Sequence, residues 1–203
     1  MNHEADKSEG TFLAQWIFFT SAGCILALPV SIIMAEICQP FMWGGKETNL
    51  VIAPCIAALV GCAQWIMLRQ RIAVSCWWVL ACAIGVGSPF VIGEILRRTG
   101  CLSDLPSGSH GKILGVAMSG IVGGLLSGLL QIGLLRSHFT RAGWWVLASA
   151  LGWGICWVGI LFNPCFGGIM GPILLGVVTG VGVLLMARLP VQKRNDAVES
   201  TNR

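Results

Sequence analysis

Charged residues are scarce in this sequence. Only 11% of its 203 residues are Asp, Glu, Lys or Arg, whereas a typical soluble domain has about 25%. They lie almost entirely at the two ends and between long apolar runs, a pattern typical of a chain whose solvent is lipid. The net charge is only +4 and the basic residues are scattered, so no nucleic-acid partner is expected.

Signatures of catalysis and of cofactor binding are also absent from the sequence. It has no nucleotide-binding loop, no HExxH motif and no serine elbow. No catalytic residue, metal site or cofactor is therefore assigned. The nine cysteines do not indicate a secreted disulfide framework, because five of them lie within apolar runs, where cysteine behaves as a small hydrophobic residue.

Long apolar runs dominate the chain, which is 55% hydrophobic with a mean hydropathy of +0.79. The uncharged run from Phe12 to Ala35 would form ~36 Å of helix at ~1.5 Å per residue, enough to cross a ~30 Å hydrocarbon core. Six such runs predict an all-α membrane protein with a polar N-terminal tail, residues 1–11, and a disordered C-terminal tail, residues 190–203. The predicted spans are residues 12–36, 50–68, 74–96, 113–135, 142–162 and 169–189.

One stretch of the chain occurs twice. Residues 57–85 match residues 124–152 at a constant offset and without a gap, and Gln64 thereby matches Gln131. This self-similarity indicates a duplicated structural unit. Aromatic residues open each odd-numbered span and arginines end each even-numbered one, which predicts three helical hairpins about a pseudo-threefold axis. In the degenerate third unit, Val183 would take the place of Gln131.

Basic residues divide unequally between the two sides that six spans create. Nine lie on the side of the termini and four on the other side. Because cytoplasmic loops carry the excess of Lys and Arg, both termini are expected in the cytoplasm. The expected location is the bacterial cytoplasmic membrane.

Three polar side chains are predicted within the spans or at their edges. Gln64 and Gln131 each lie ~7.5 Å inside the end of a span. A buried amide needs a hydrogen bond, so each is expected to face a neighbouring helix; a substrate-facing pair is the alternative. Glu94 is predicted near the outer interface, either in a salt bridge with Arg97 and Arg98 or as a proton- or cation-binding carboxylate.

Small residues recur every four positions in the fourth and sixth spans, a spacing that lets helices approach closely. Packing within the chain is the favoured interpretation, and docking of a partner helix is the alternative. The residues expected to serve in this packing are Gly115, Ser119, Gly120, Gly123, Gly124, Ser127, Gly128, Gly176 and Gly180.

Paired tryptophans and single arginines flank the connections between spans. Side chains of these types are typical anchors in the headgroup region of a bilayer. A ring-shaped cofactor held between the tryptophans is the less favoured alternative. The predicted anchors are Trp77, Trp78, Trp144, Trp145, Arg69 and Arg136.

The motif QWIMLR at residues 64–69, followed by the WWVLA run at residues 77–81, resembles a group of uncharacterised bacterial multi-pass membrane proteins frequent in cyanobacteria. Those proteins carry tandem units of this kind. The second copy in this chain has Ile132 where the motif has tryptophan. The likeness covers about residues 57–160, and it implies the topology but no activity.

Three functions remain open on sequence alone. An accessory or scaffold protein in a membrane complex is favoured by short loops, dense small-residue stripes and little buried charge. It would bind a membrane-protein partner or a second copy of itself, besides the lipid bilayer. A small-solute or ion transporter or channel is the alternative, and an intramembrane enzyme ranks last because no acid, base and nucleophile converge.

Overall fold

The computed structural model describes residues 2–38, 49–100, 109–139, 141–162 and 164–187. All regular secondary structure in these ranges is α-helical. Each helix contains a segment of 19 to 30 residues that is long and apolar enough to cross a membrane, which confirms the all-α architecture with six candidate spans. The helices are α1 (Asn2–Cys38), α2 (Asn49–Arg69), α3 (Trp77–Arg98), α4 (Ser109–Leu135), α5 (Gly143–Phe162) and α6 (Pro164–Ala187).

The N-terminal segment forms the first turns of α1. Residues 2–11 are helical and continuous with the first span, so that α1 is 37 residues long. The segment contains Glu, Ala and Lys, which favour helix, and no proline, so nothing in it ends the helix before the membrane. The predicted C-terminal tail, residues 190–203, lies outside the described residues.

The six helices form a closed ring. Each helix packs against the next one in the chain, and α6 packs against α1. At one end of the ring α2 and α4 finish while α3 and α5 start; this arginine end carries the exposed residues Arg69, Arg71, Arg136 and Arg141. Two clusters of buried apolar side chains fill the interior, one toward the arginine end and one toward the opposite end.

The outer surface of the ring is apolar on every helix. Large hydrophobic side chains such as Phe18, Ile84 and Leu151 are more than half exposed. A soluble protein rarely exposes apolar surface on this scale, whereas lipid solvates it without cost. The surface therefore agrees with the hydropathy of the helices.

The two small-residue stripes of α4 face two different helices. Along one stripe, a Cβ added at Gly120 would lie 2.9 Å from the Trp153 carbonyl oxygen of α5, and one at Gly124 would overlap the Ser149 carbonyl of α5. On the other stripe, a Cβ at Gly123 would lie 2.9 Å from Cα of Val86 in α3. The stripes thus let α4 approach α5 and α3 at once.

The remaining stripe residues divide between contact and exposure. Gly128 packs against Val146 of α5, and the Ser127 backbone lies against Gly85 of α3. In α6, added Cβ atoms at Gly176 and Gly180 would lie 3.0 Å from Cα of Ile17 and 2.7 Å from a methyl of Leu13, both in α1. Ser119 is half-buried.

Gly115 departs from its predicted packing role. It is exposed, and a Cβ added there would meet no atom of the described residues within 4 Å. Gly115 belongs to the α3-facing stripe by spacing, but it lies near the start of α4, beyond the contacts that the described part of α3 makes with this stripe. The four-residue spacing therefore identifies a face of the helix, not how far along that face the contact extends.

We expect Gly124→Ala to lower the free energy of unfolding by about 1–3 kcal/mol, because its methyl group would collide with rigid helix backbone of α5. Gly115→Ala on the same helix is the matched control. It should leave stability unchanged or raise it by about 0.5–1 kcal/mol through helix propensity. Thermal unfolding of both variants in one detergent measures the difference, and equal losses would contradict the close approach of α4 to α5.

Candidate functional site

Three tryptophans, one from each odd-numbered helix, meet inside the ring. Trp16, Trp78 and Trp145 are each no more than 1% exposed. The ring centroid of Trp145 lies 5.2 Å from that of Trp78 and 6.1 Å from that of Trp16. Tilted and edge-on indoles at these separations attract one another in addition to the area they bury. We refer to these residues as the tryptophan triad.

Polar side chains from the even-numbered helices bond to two members of the triad. The Trp145 Nε1–H donates to Oε1 of Gln131 at 2.7 Å. The Trp16 Nε1–H donates to the hydroxyl of Thr179 at 3.0 Å. The Trp78 Nε1–H has no hydrogen-bond partner among the described residues. On α2, Gln64 is only 2% exposed.

Gln131 connects three helices. Besides accepting from Trp145 of α5, its Nε2 lies 3.4 Å from the Trp78 carbonyl oxygen and 3.5 Å from Sγ of Cys82, both in α3. The hydroxyl of Ser127 also donates to Cys82, at 3.6 Å. The Gln131 amide therefore hydrogen-bonds to α3 and α5, as a buried amide inside a bilayer must bond to neighbouring helices.

Small polar side chains lie about one helical turn beyond each tryptophan of the triad. Thr20, Cys82 and Ser149 each lie four residues beyond a triad tryptophan, and each is 1% exposed. The Thr20 hydroxyl has no hydrogen-bond partner within the described part of the chain. Together with the side chains from the even helices they form a polar layer, consisting of Thr20, Gln64, Cys82, Ser127, Gln131, Ser149 and Thr179.

The polar layer is neutral, which limits its chemistry. It contains hydroxyl, amide and thiol groups but no acid and no base beside the Cys82 thiol. In the ranges that the structure describes, no three His, Cys, Asp or Glu side chains converge on a possible metal position. The layer can hold helices together or accept a small neutral polar molecule, but it lacks the set of groups that general acid–base catalysis needs.

Glu94 lies far from this layer. It is ~24 Å along α3 from Trp78, toward the end opposite the arginines. Its carboxylate accepts from Arg97 at 2.6 and 2.9 Å and from Nε of Arg98 at 3.0 Å. These are the i+3 and i+4 ion pairs that the spacing predicts. The carboxylate therefore lies outside the ring interior.

The tryptophan pairs divide between the two faces of their helices. Trp77 and Trp144 are 63% and 47% exposed on the lipid-facing surface, where anchors belong. Trp78 and Trp145 instead point into the ring, contrary to the prediction that both members of each pair are anchors. Consecutive helical residues differ by about 100° in direction, so one residue of a pair can face lipid while the other points into the ring.

The arginines also behave differently from one another. The Arg69 guanidinium lies 4.9 Å from the ring centroid of Trp65, whose Nε1 donates to the Val74 carbonyl. Arg136 is exposed at the end of α4. Both remain at the arginine end, at the level expected for contact with headgroups.

Sequence reasoning missed four members of the polar layer, Thr20, Cys82, Ser149 and Thr179. A signal was present, because Thr20, Cys82 and Ser149 share the same four-residue distance from a tryptophan. Thr179 was not identified because the alignment of the third unit placed Val183 at the position that corresponds to Gln131. In the structure Val183 belongs to the apolar cluster at the arginine end, and Thr179, one turn earlier, receives the indole N–H.

Comparisons with known protein families, with curated proteins and with solved structures found no match for this chain. The site is therefore interpreted from its own geometry.

A double-mutant cycle of Gln131→Leu and Trp145→Phe should give a coupling free energy of about 1 kcal/mol, the size typical of a hydrogen bond between membrane helices. The matched control is Gln64→Leu with Trp78→Phe. Because the Trp78 N–H has no partner among the described residues, that cycle should give a coupling near zero. Unfolding of the variants in mixed detergent micelles supplies the free energies, and equal coupling in both cycles would contradict this asymmetry.

Proposed function

We propose that this multi-pass membrane protein is an accessory or scaffold subunit of a membrane complex. The observation that carries the proposal is the packed interior of the ring. The tryptophan triad and the two apolar clusters occupy the axis along which a solute would pass. Within the described ranges no charged side chain is buried, so an ion crossing the ring would find no charge to compensate the loss of its hydration.

A groove on the outside of the ring supports the same role. It lies between α4, α5 and α6, has a volume of about 500 Å³ and is lined by Gly154, Gly159 and Gly171 among larger apolar residues. A second hollow of about 440 Å³ shares Ile121 and Leu151 with it and extends toward the arginine end. Together they run ~22 Å along α5, which suits a transmembrane helix of a partner better than one lipid tail.

The topology that accompanies this proposal has both termini in the cytoplasm of a bacterium and the arginine end facing inward. Its support is the excess of basic residues on that side of the chain. Three hairpins, α1–α2, α3–α4 and α5–α6, would then surround one axis. The equivalent positions of Trp16, Trp78 and Trp145 support this repeat, as do the polar partners that Trp145 has on α4 and Trp16 has on α6, the helix beside α1 in the ring.

Membership of the cyanobacteria-like group with tandem QWxxLR units is part of the proposal. It rests on residues 64–69 and 77–81. Gln64 is buried and Arg69 stacks on Trp65, so the motif supplies one interior residue and one interfacial pair.

Native mass spectrometry of the protein extracted in mild detergent from its own host tests the scaffold role. We expect a membrane protein to be retained at fixed stoichiometry. Ile155→Trp, which fills the groove, should release that partner at least tenfold more readily. Ile84→Trp on the outer face of α3 should not, because it is outside the groove. A chain that never carries a partner would contradict the proposal.

A small-solute carrier is the second candidate. It is favoured by the Thr20 hydroxyl of the polar layer and the Trp78 N–H of the triad, neither of which has a hydrogen-bond partner in the described ranges. A neutral polar molecule is the solute class that such donors suit.

Stopped-flow light scattering of vesicles containing the protein distinguishes the two candidates, with urea and glycerol as probe solutes. We expect the same solute entry rate as in protein-free vesicles, because side chains fill the axis. Faster entry that is lost in Gln131→Leu and retained in Glu94→Gln would replace the scaffold by the carrier. Glu94→Gln is the control because its ion pair lies outside the ring interior.

A further inference from the structure

A cavity of about 250 Å³ lies at the arginine end of the ring. Four segments form its wall: the start of α1, the end of α2 with the turn that follows, the connection between α4 and α5, and the end of α6. Seven of its nine lining residues are apolar, and two of these are the aromatic residues Phe12 and Phe139. The cavity shares no lining residue with the outer groove or with the polar layer.

The apolar wall of this cavity suits an aromatic ring. Phe12 is buried, and its ring centroid lies 5.9 Å from that of Trp16, so the tryptophan triad holds its ring in place. Aromatic rings attract one another in addition to the area they bury, so Phe12 and Phe139 favour an aromatic molecule over an aliphatic one of equal size. An apolar cavity of ~150 Å³ accommodates benzene, so this larger one has room for a ring and about three or four further non-hydrogen atoms.

Arg71 places one positive charge at the rim of the cavity. It is exposed and lies two residues beyond Arg69, where the candidate membrane segment of α2 ends. Its guanidinium carbon lies 4.6 Å from the ring centroid of Phe12, a contact that orients the guanidinium while its N–H edges stay available to an anion. Arg71 forms no ion pair with any carboxylate of the described residues.

Glu9, the other charged residue of the wall, does not add a second binding group. It already takes part in an interaction of its own. The cavity therefore matches a ligand that is apolar except for a single negative group. A carboxylate is the anion that fits, because its two oxygens pair with the parallel N–H donors of one guanidinium.

We propose that this cavity binds an aromatic monocarboxylate of about the size of benzoate. The ring of the ligand lies against Phe12 and Phe139, and its carboxylate pairs with Arg71. Because Arg71 is at the exposed rim, the negative charge stays close to water and its desolvation is limited. The site is independent of the scaffold role, which uses the outer surface of the ring.

Isothermal titration calorimetry of the full chain in lipid nanodiscs tests the proposal, with the heat of empty nanodiscs subtracted. Benzoate is compared with cyclohexanecarboxylate, which keeps the charge but is not aromatic, and with benzamide, which keeps the ring but is neutral. We expect benzoate to bind about threefold more tightly than cyclohexanecarboxylate. It should bind at least tenfold more tightly than benzamide.

Charge variants and a matched control assign the carboxylate contact. Arg71→Gln should weaken benzoate binding about tenfold, and Arg71→Lys should fall between this variant and the unmodified protein, because it keeps the charge but not the paired donors. Arg69→Gln is the control, since Arg69 has a similar stacked position on Trp65 but does not line the cavity. Ala187→Phe at the rim is a steric test that changes no charge.

Each outcome bears on the proposal. Weaker benzoate binding in Arg71→Gln and Ala187→Phe, with Arg69→Gln unchanged, would support it, provided that thermal unfolding shows the variants to be folded. Equal weakening in Arg69→Gln and Arg71→Gln would overturn it in favour of general attraction to a basic surface. Equal affinity for benzoate and cyclohexanecarboxylate would overturn the aromatic class of the ligand.

Discussion

The hydrogen bond between the Trp145 indole and the Gln131 amide is the interaction on which the ring interior depends. An indole N–H and an amide inside a bilayer have no water to bond with, so each must find a protein partner. Here one amide bonds to α5 and α3 from its position on α4, and thereby fixes the separation of three consecutive helices. The Trp16–Thr179 bond does the same where α6 closes onto α1.

Such short bonds require helices that lie close together, and glycine makes this possible. The bare faces at Gly120, Gly123 and Gly124 bring α4 close to the backbone of both neighbouring helices. Without a hydrophobic driving force between helices in lipid, this contact and the buried hydrogen bonds are the available sources of specificity. The large tryptophan rings then fill the axis that the closely spaced helices surround.

The tryptophan triad and the two apolar clusters fill the axis of the ring, which leaves its outer surface for contacts with other molecules. The groove along α4, α5 and α6 lies on this surface, outside the tryptophan triad. In the scaffold role that we propose, a helix of the partner occupies this groove. The polar layer would then contribute cohesion between helices.

The sequence by itself determined the six apolar helices, the ion pair of Glu94 and the faces of α4 that carry small residues. These are local properties, set by length, hydropathy and a spacing of three or four residues along one helix. Only the tertiary structure decided that Trp78 and Trp145 face inward and that Gly115 has no neighbour among the described residues. It also decided that the polar partner from α6 is Thr179, where the alignment of the repeat had placed Val183. These features depend on the rotation of each helix about its own axis and on where the ring closes, and both are settled by contacts between residues distant in the chain.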